Sequence, residues 1–300
     1  MPAVNDLPEI LETSQAERLA TGFIFTEGPL WHPDGFYYFV DIRANRLYRI
    51  TPGSAAELVR ETAGGNGTTF DLKGRLVMCE GTSRSVTRME SSGKVTTLVD
   101  RYQGGRFNRP NDIVCRSDGT LYFTDPDKRV PYREREIPPP ESVDNLWDGA
   151  SVYRVTDDGT IARVALCEYP NGLAFSPDER TLYVANTRSS KYIHALNLDE
   201  EGKLARRRIF ADMNEGTEPG IPDGLKVDAL GRVYCTGPGG IWVFAPDGKR
   251  IGIIRFPEQA VNFAFGGNDL RTLFCCAYTS VYALRVRTPG NPHPWYRKRA

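Results

Sequence analysis

Apolar and polar residues alternate along this chain in short runs, and the alternation restarts six times behind a side chain that carries oxygen: Glu27, Asn66, Asn111, Asn171, Asp223 and Asn262. Each of these head residues opens an alternating stretch, a turn, and a second stretch that closes on an apolar or aromatic run, as in EGPLWHPDGFYYFVD, NDIVCRSDGTLYFTD and DGLKVDALGRVYCTG. From head residue to the end of the second run is 14 residues to Asp41, Glu80, Asp125 and Gly237, and 15 to Asn186 and Ala277. Period-2 alternation marks strands with two distinct faces. The segments PDG, LKG, SDG, PDE, ALG and GGND between the runs are turn sequences. Further runs follow, RLYRIT and AELVRE after the first pair, SVTRME and VTTLVD after the second, so the predicted unit is a four-stranded antiparallel meander.

Head residues fall 39, 45, 60, 52 and 39 positions apart, the length of a propeller blade. The spacing predicts an all-β chain folded as a single six-bladed β-propeller over residues 1–300, with blades starting near 27, 66, 111, 171, 223 and 262. The last copy runs out near Val286, and the remaining TPGNPHPWYRKRA is too rich in proline for an interior strand. The sixth blade therefore needs a strand from elsewhere. The segment AERLATGF, ahead of the first copy, is the expected donor, and pairing it there would close the ring and cover an open edge.

Topology also predicts a site. Inner strands all start at one face beside the axis, so the six head residues should converge there. The last residues of the second strands, Asp41, Glu80, Asp125 and Asn186, return to that face and predict a second, wider circle, together forming a polar funnel. A Pro-rich and charge-rich insertion, 126–149, leaves from the same face; it either covers the mouth and lends Trp147 or Tyr132 to a ligand pocket, or is a solvated loop.

Composition narrows the ligand. Lys plus Arg and Asp plus Glu balance at 38 each, which gives no long-range field toward nucleic acid or an anionic membrane. A small neutral or polar molecule is the expected partner, and nothing in the chain specifies an oligomeric state. No basic start followed by an apolar h-region and no run of 18 apolar residues is present, so neither a signal peptide nor a membrane span is expected. The six cysteines lie in apolar strand-like runs without CxxC spacing. They read as buried thiols of a reducing, cytoplasmic setting.

Glu27, Asp223 and several carboxamides aimed at one point would repel or stay unsatisfied without a positive charge between them. One divalent cation answers that, and an all-oxygen set suits a hard ion, calcium first, with magnesium, manganese and zinc as the other candidates. Glu27, Asn171 and Asp223 are the expected ligands, while Asn66 and Asn262 are expected to cap strand starts. His32, His194 and His293 hold no head position, and the chain carries no GxSxG, HExxH, GxxxxGK[ST] or helix-opening GxGxxG pattern.

The segments FTEGPLW, RPNDIV with YFTDP, PNGLAFSPDERTLYVAN, and IPDGLKVD with VYCTGPGGIWVF resemble the regucalcin and gluconolactonase family of six-bladed propellers, over about residues 20–286. The resemblance implies a metal held by Glu27, Asn171 and Asp223, with Asn111 as a fourth ligand or substrate contact and Arg109 as a substrate-binding arginine. It also implies a second or structural ion at Asp125. Where many gluconolactonase-like sequences read YFTDPPYG and carry a histidine after the acidic residue of the second blade, this chain reads DPDKRVPY and CEGTSRS. The implied activity is opening of a sugar lactone to its hydroxy acid. In that reaction the ion acts as a Lewis acid, Arg109 and Asn111 orient the substrate, and Asp223 assists the attacking water. Two alternatives remain open: metal-dependent hydrolysis of organophosphates or aryl esters, and a non-catalytic calcium-binding propeller.

Overall fold

The short β-branched and aromatic runs pair into six four-stranded antiparallel sheets. This computed structural model describes residues 5–126, 150–188 and 190–299; Tyr132, Trp147 and nearly all of the 126–149 insertion lie outside the described residues. The inner strands are Thr26–His32, Gly65–Phe70, Ile113–Cys115, Pro170–Phe175, Leu225–Val227 and Asn262–Gly266. Each contacts the next around the ring, and the sixth contacts the first. The fold is the six-bladed propeller expected from the repeat.

Closure follows the sequence argument. Glu17–Thr21, inside AERLATGF, pairs antiparallel with Ser280–Arg285 in a register running from Glu17 opposite Ala283 to Thr21 opposite Ser280. The sixth blade thus takes its outer strand from the start of the chain.

The strand alternation explains how the blades adhere. Residues of one parity face the preceding blade and those of the other parity face the next. Leu182 and Val184 join Tyr122 and Val152 between blades 3 and 4, whereas Tyr183 and Ala185 join Leu225 and Cys235 between blades 4 and 5. Six separate apolar clusters result, one at each blade interface. All six cysteines are buried thiols in these layers, as expected. Among the described residues, no helix is long and apolar enough to cross a membrane.

The C-terminal tail has a role that its composition does not reveal. It forms the short helix Pro294–Arg299 across the ends of the inner strands opposite the head residues. Trp295 packs on Phe70 at 4.7 Å between ring centroids, the Tyr296 hydroxyl donates to the Trp31 carbonyl, and His293 Nε2 lies 3.1 Å from Thr69 Oγ1. Gly74, at φ +78°, leaves room for the indole: a Cβ there would sit 2.3 Å from the Trp295 ring. The tail floors the channel, beneath a cavity of about 130 Å³ lined by Pro29, Ile113, Leu173, Ala264 and His293 among others.

Candidate metal centre at the head of the inner strands

The head residues sit where the strand ladder is interrupted. In blades 1, 2 and 4 the register shifts between Glu27 and Leu30, Gly65 and Thr68, and Pro170 and Leu173. A bulge of this kind frees a side chain from the pleat and re-aims it. Neighbouring inner strands approach so closely here that in blades 1, 2, 4 and 5 the residue after the head is held to glycine: a Cβ on Gly172 would meet the Asp223 carbonyl oxygen at 2.0 Å.

Backbone bonds between blades define one level around the axis. Gly67 N–H donates to Asn111 O at 2.8 Å, Gly172 N–H to Asp223 O at 3.1 Å, and Gly224 N–H to Val261 O at 3.0 Å. Val261 is therefore the sixth member of the head tier, and Asn262 stands one residue deeper, level with Asp112. The spacing rule drifts in the last copy because its turn is longer than the 14-residue register allows.

Glu27 is buried, and its Oε2 accepts the Gly28 N–H and, at 2.9 Å, the Asn262 amide. Burial first, then the charges of Asp223 and Asp112, hold its pKa well above the usual carboxylate range, against the opposing pull of those two hydrogen bonds. Glu27 and Asp223 thus share one electrostatic neighbourhood. Asp223 is partly exposed, and its backbone N–H donates to Thr236 Oγ1 at 3.2 Å. In blade 4 the Asn171 amide donates to Thr187 Oγ1 at 2.9 Å, and Thr187 in turn donates to Pro222 O at 2.6 Å. Asn111 is buried in the same tier.

Among the described residues, two buried acceptors in these tiers, Asn66 Oδ1 and Asn171 Oδ1, have no hydrogen-bond partner, and Asp112 Oδ2, which has none either, faces the Lys226 ammonium at 3.8 Å. Buried oxygens left this way carry a desolvation cost that a cation would remove. Among the described residues no three His, Cys, Asp or Glu side chains cluster as a metal group. The oxygen set is instead mixed, carboxylates with carboxamides, which fits a hard cation and suits thiophilic or imidazole-seeking ions less well.

The wider circle behaves differently from the expected funnel. Asp41, Glu80, Asp125 and Asn186 are all buried, and each turns back on the loop that enters its own blade. Asp41 accepts the Ile24 and Phe25 N–H groups at 2.8 and 3.1 Å, Asn186 accepts Tyr169 N–H at 2.9 Å, and Glu80 accepts Ala63 N–H at 3.4 Å while also pairing with Arg60 of the preceding blade at 3.0 Å. Asp125 accepts Asn108 N–H at 2.8 Å and Arg109 N–H at 2.7 Å. A side chain that can reach the face is equally able to tie down the entering loop, and here the backbone N–H groups of that loop take it. Arg109 is exposed at that rim, with its Nε 3.5 Å from where a Gly81 Cβ would be.

Residues 25–279 match the family described as SMP-30/Gluconolactonase/LRE-like region. The chain belongs to this family. Within the SMP-30/gluconolactonase family it is similar to a gluconolactonase of Zymomonas mobilis, 31% identical over 309 residues that cover 95% of this chain and 85% of the relative. It is also similar to a pentonolactonase of Haloferax volcanii, 29% identical over 83% of this chain and 79% of that one. The solved structure of a gluconolactonase from Xanthomonas campestris superposes with a TM-score of 0.82 at 33% identity, covering 95% of each chain.

Two polar residues of the centre escaped the sequence reading. Asp112 follows a head residue directly, and the only signal was an acid where the other early copies carry glycine. Lys226 sits inside an apolar inner strand, DGLKVD, and its ammonium lies 3.8 Å from Asp112 Oδ2. A lone lysine in such a strand reads as outward-facing until the blade is closed into a ring.

Proposed function

We propose that this chain opens an aldonolactone to its hydroxy acid with one divalent cation, calcium first among the candidates, held by Glu27, Asn171, Asp223 and Asn111. The chain is a lactonase, on its 29–33% identity with a gluconolactonase of known sequence, a pentonolactonase and a gluconolactonase of solved structure. Support for the cation rests above all on Asn171, whose amide nitrogen is fixed by Thr187 while its buried Oδ1 has no hydrogen-bond partner among the described residues. A carboxamide oxygen fixed in this way suits a hard cation.

When bound, such an ion supplies Lewis-acid polarisation of the lactone carbonyl. The residues divide the remaining work. Arg109, exposed at the rim with its backbone held by Asp125, binds substrate oxygens, and Asn111 orients the ring from the buried tier. Asp223, which solvent reaches, takes the proton of the water that adds to the carbonyl carbon. The bond from that carbon to the ring oxygen then breaks, and the ring oxygen leaves protonated as the new hydroxyl. Both Asp125 oxygens accept backbone N–H groups, which favours a loop-holding role over a second ion.

Acid release from a panel of aldonolactones, with chelator and after restoring calcium, manganese, magnesium or zinc, tests this reading. Lactone turnover lost on chelation and regained with one of the ions supports it. Turnover indifferent to chelation contradicts the role of the cation, and preference for phosphotriesters contradicts the substrate class.

A further inference from the structure

Lys226 belongs to no expected ligand set, yet it stands directly behind one. Its Nζ lies 3.3 Å from Asn262 Oδ1, and the Phe263 N–H donates to the same oxygen at 2.8 Å. With two donors on its oxygen, the Asn262 carboxamide has one favourable orientation, nitrogen toward Glu27. Its Nδ2 then donates to Glu27 Oε2 at 2.9 Å. Packing reinforces this, since a Cβ on Gly224 would meet Asn262 Oδ1 at 2.2 Å: the glycine leaves the space that the carboxamide occupies. On its other side the same ammonium lies 3.8 Å from Asp112 Oδ2, which has no hydrogen-bond partner among the described residues.

We propose that Lys226 is a positioning residue that acts through Asn262 to hold the Glu27 carboxylate in its ion-binding orientation. The relay runs Lys226 to Asn262 to Glu27, across blades 5, 6 and 1, and closes the centre from below. The inference rests on the reading of Glu27 as an ion ligand. Substitutions of groups that orient a metal ligand commonly cost ten- to a hundredfold in metal affinity, and that is the effect expected here.

The test is calcium titration calorimetry on the full chain, paired with thermal unfolding in chelator. Lys226→Met should weaken calcium binding by about tenfold or more. Because Lys226→Met alone leaves Asp112 buried without its countercharge and could unfold the chain, the decisive variant is Asp112→Asn/Lys226→Met. Thermal stability should return in that double variant while its calcium affinity stays about tenfold or more below that of Asp112→Asn alone. Asn262→Ala and Asn262→Ala/Lys226→Met should bind calcium equally weakly, since residues in one relay are non-additive. Calcium affinity in Asp112→Asn/Lys226→Met equal to that of Asp112→Asn, or additive losses in the Asn262 pair, would overturn the relay and leave the ion site intact. A wild-type chain that binds no divalent ion would overturn both.

Discussion

Thr187 accepts the amide of Asn171 at 2.9 Å and leaves the amide's oxygen buried and, among the described residues, without a hydrogen-bond partner. That one hydroxyl, donating onward to Pro222 O, also ties blade 4 to the approach of Asp223. Thr187→Val keeps the shape but removes the acceptor, so Asn171 is free to turn. Calcium affinity should fall by about tenfold, and turnover should recover at saturating calcium. Calorimetry and steady-state assays at two metal concentrations check this.

Asp223 carries two assignments, ligand and proton acceptor, that one substitution separates. A carboxylate bound to a cation is a weakened base, so the ligand role should dominate. Asp223→Asn is expected to lose calcium affinity first, with residual turnover rising as calcium is added. Unaltered calcium binding with abolished turnover would make proton transfer its main task.

Asp125 holds the Asn108 and Arg109 backbone N–H groups. Asp125→Ala should loosen that loop and raise KM several-fold while the calcium stoichiometry of the protein stays unchanged. A lower stoichiometry in the variant would instead assign Asp125 to an ion of its own.

The tail helix packs on the end of the channel opposite the head residues, so stability and ion binding should separate there. Trp295→Ala should lower unfolding free energy by about 3 kcal/mol, the usual scale for removing a packed aromatic. Calcium affinity should not move. Gly74→Ala should destabilise in the same direction, because its Cβ would strike the indole and its φ is positive.

Acid sensitivity has an identifiable source in blade 4. His194 is buried with no partner for Nδ1 among the described residues, and burial, with the charge of Arg207 adding to it, pushes its pKa down to about 3. A depressed folded-state pKa favours the fold above the ordinary histidine value near ~6.5, and that stabilisation is lost as pH falls through the window toward about 3. His194→Leu should therefore lose less stability between neutral pH and pH ~4, by about 3 kcal/mol at ~1.4 kcal/mol per pKa unit. Urea unfolding of both proteins at the two pH values measures it.

The propeller was legible because blade geometry repeats: a fixed distance from Glu27 to Asp41 recurs from Asn111 to Asp125 and from Asp223 to Gly237. Ring closure was legible too, because an antiparallel blade lacking a strand leaves an edge that AERLATGF could cover. What stayed hidden depends on direction and distance across blades. Whether Asp125 faced the axis or its own loop was decided by the backbone N–H groups of Asn108 and Arg109, which no spacing reveals. Lys226 and Asn262 meet although 36 residues separate them, and Val261 displaced Asn262 from the head tier through a single backbone bond to Gly224. The tail was discounted for its prolines, which exclude a strand but not a helix that opens on Pro294.

The central claim is that groups from separate blades converge on one cation, and crystals grown with manganese or calcium test it most directly through the anomalous signal. A single peak within about 2.0–2.6 Å of a Glu27 oxygen, Asn171 Oδ1 and an Asp223 oxygen is the predicted result. A peak elsewhere on the ring, or none at saturating ion, would contradict it.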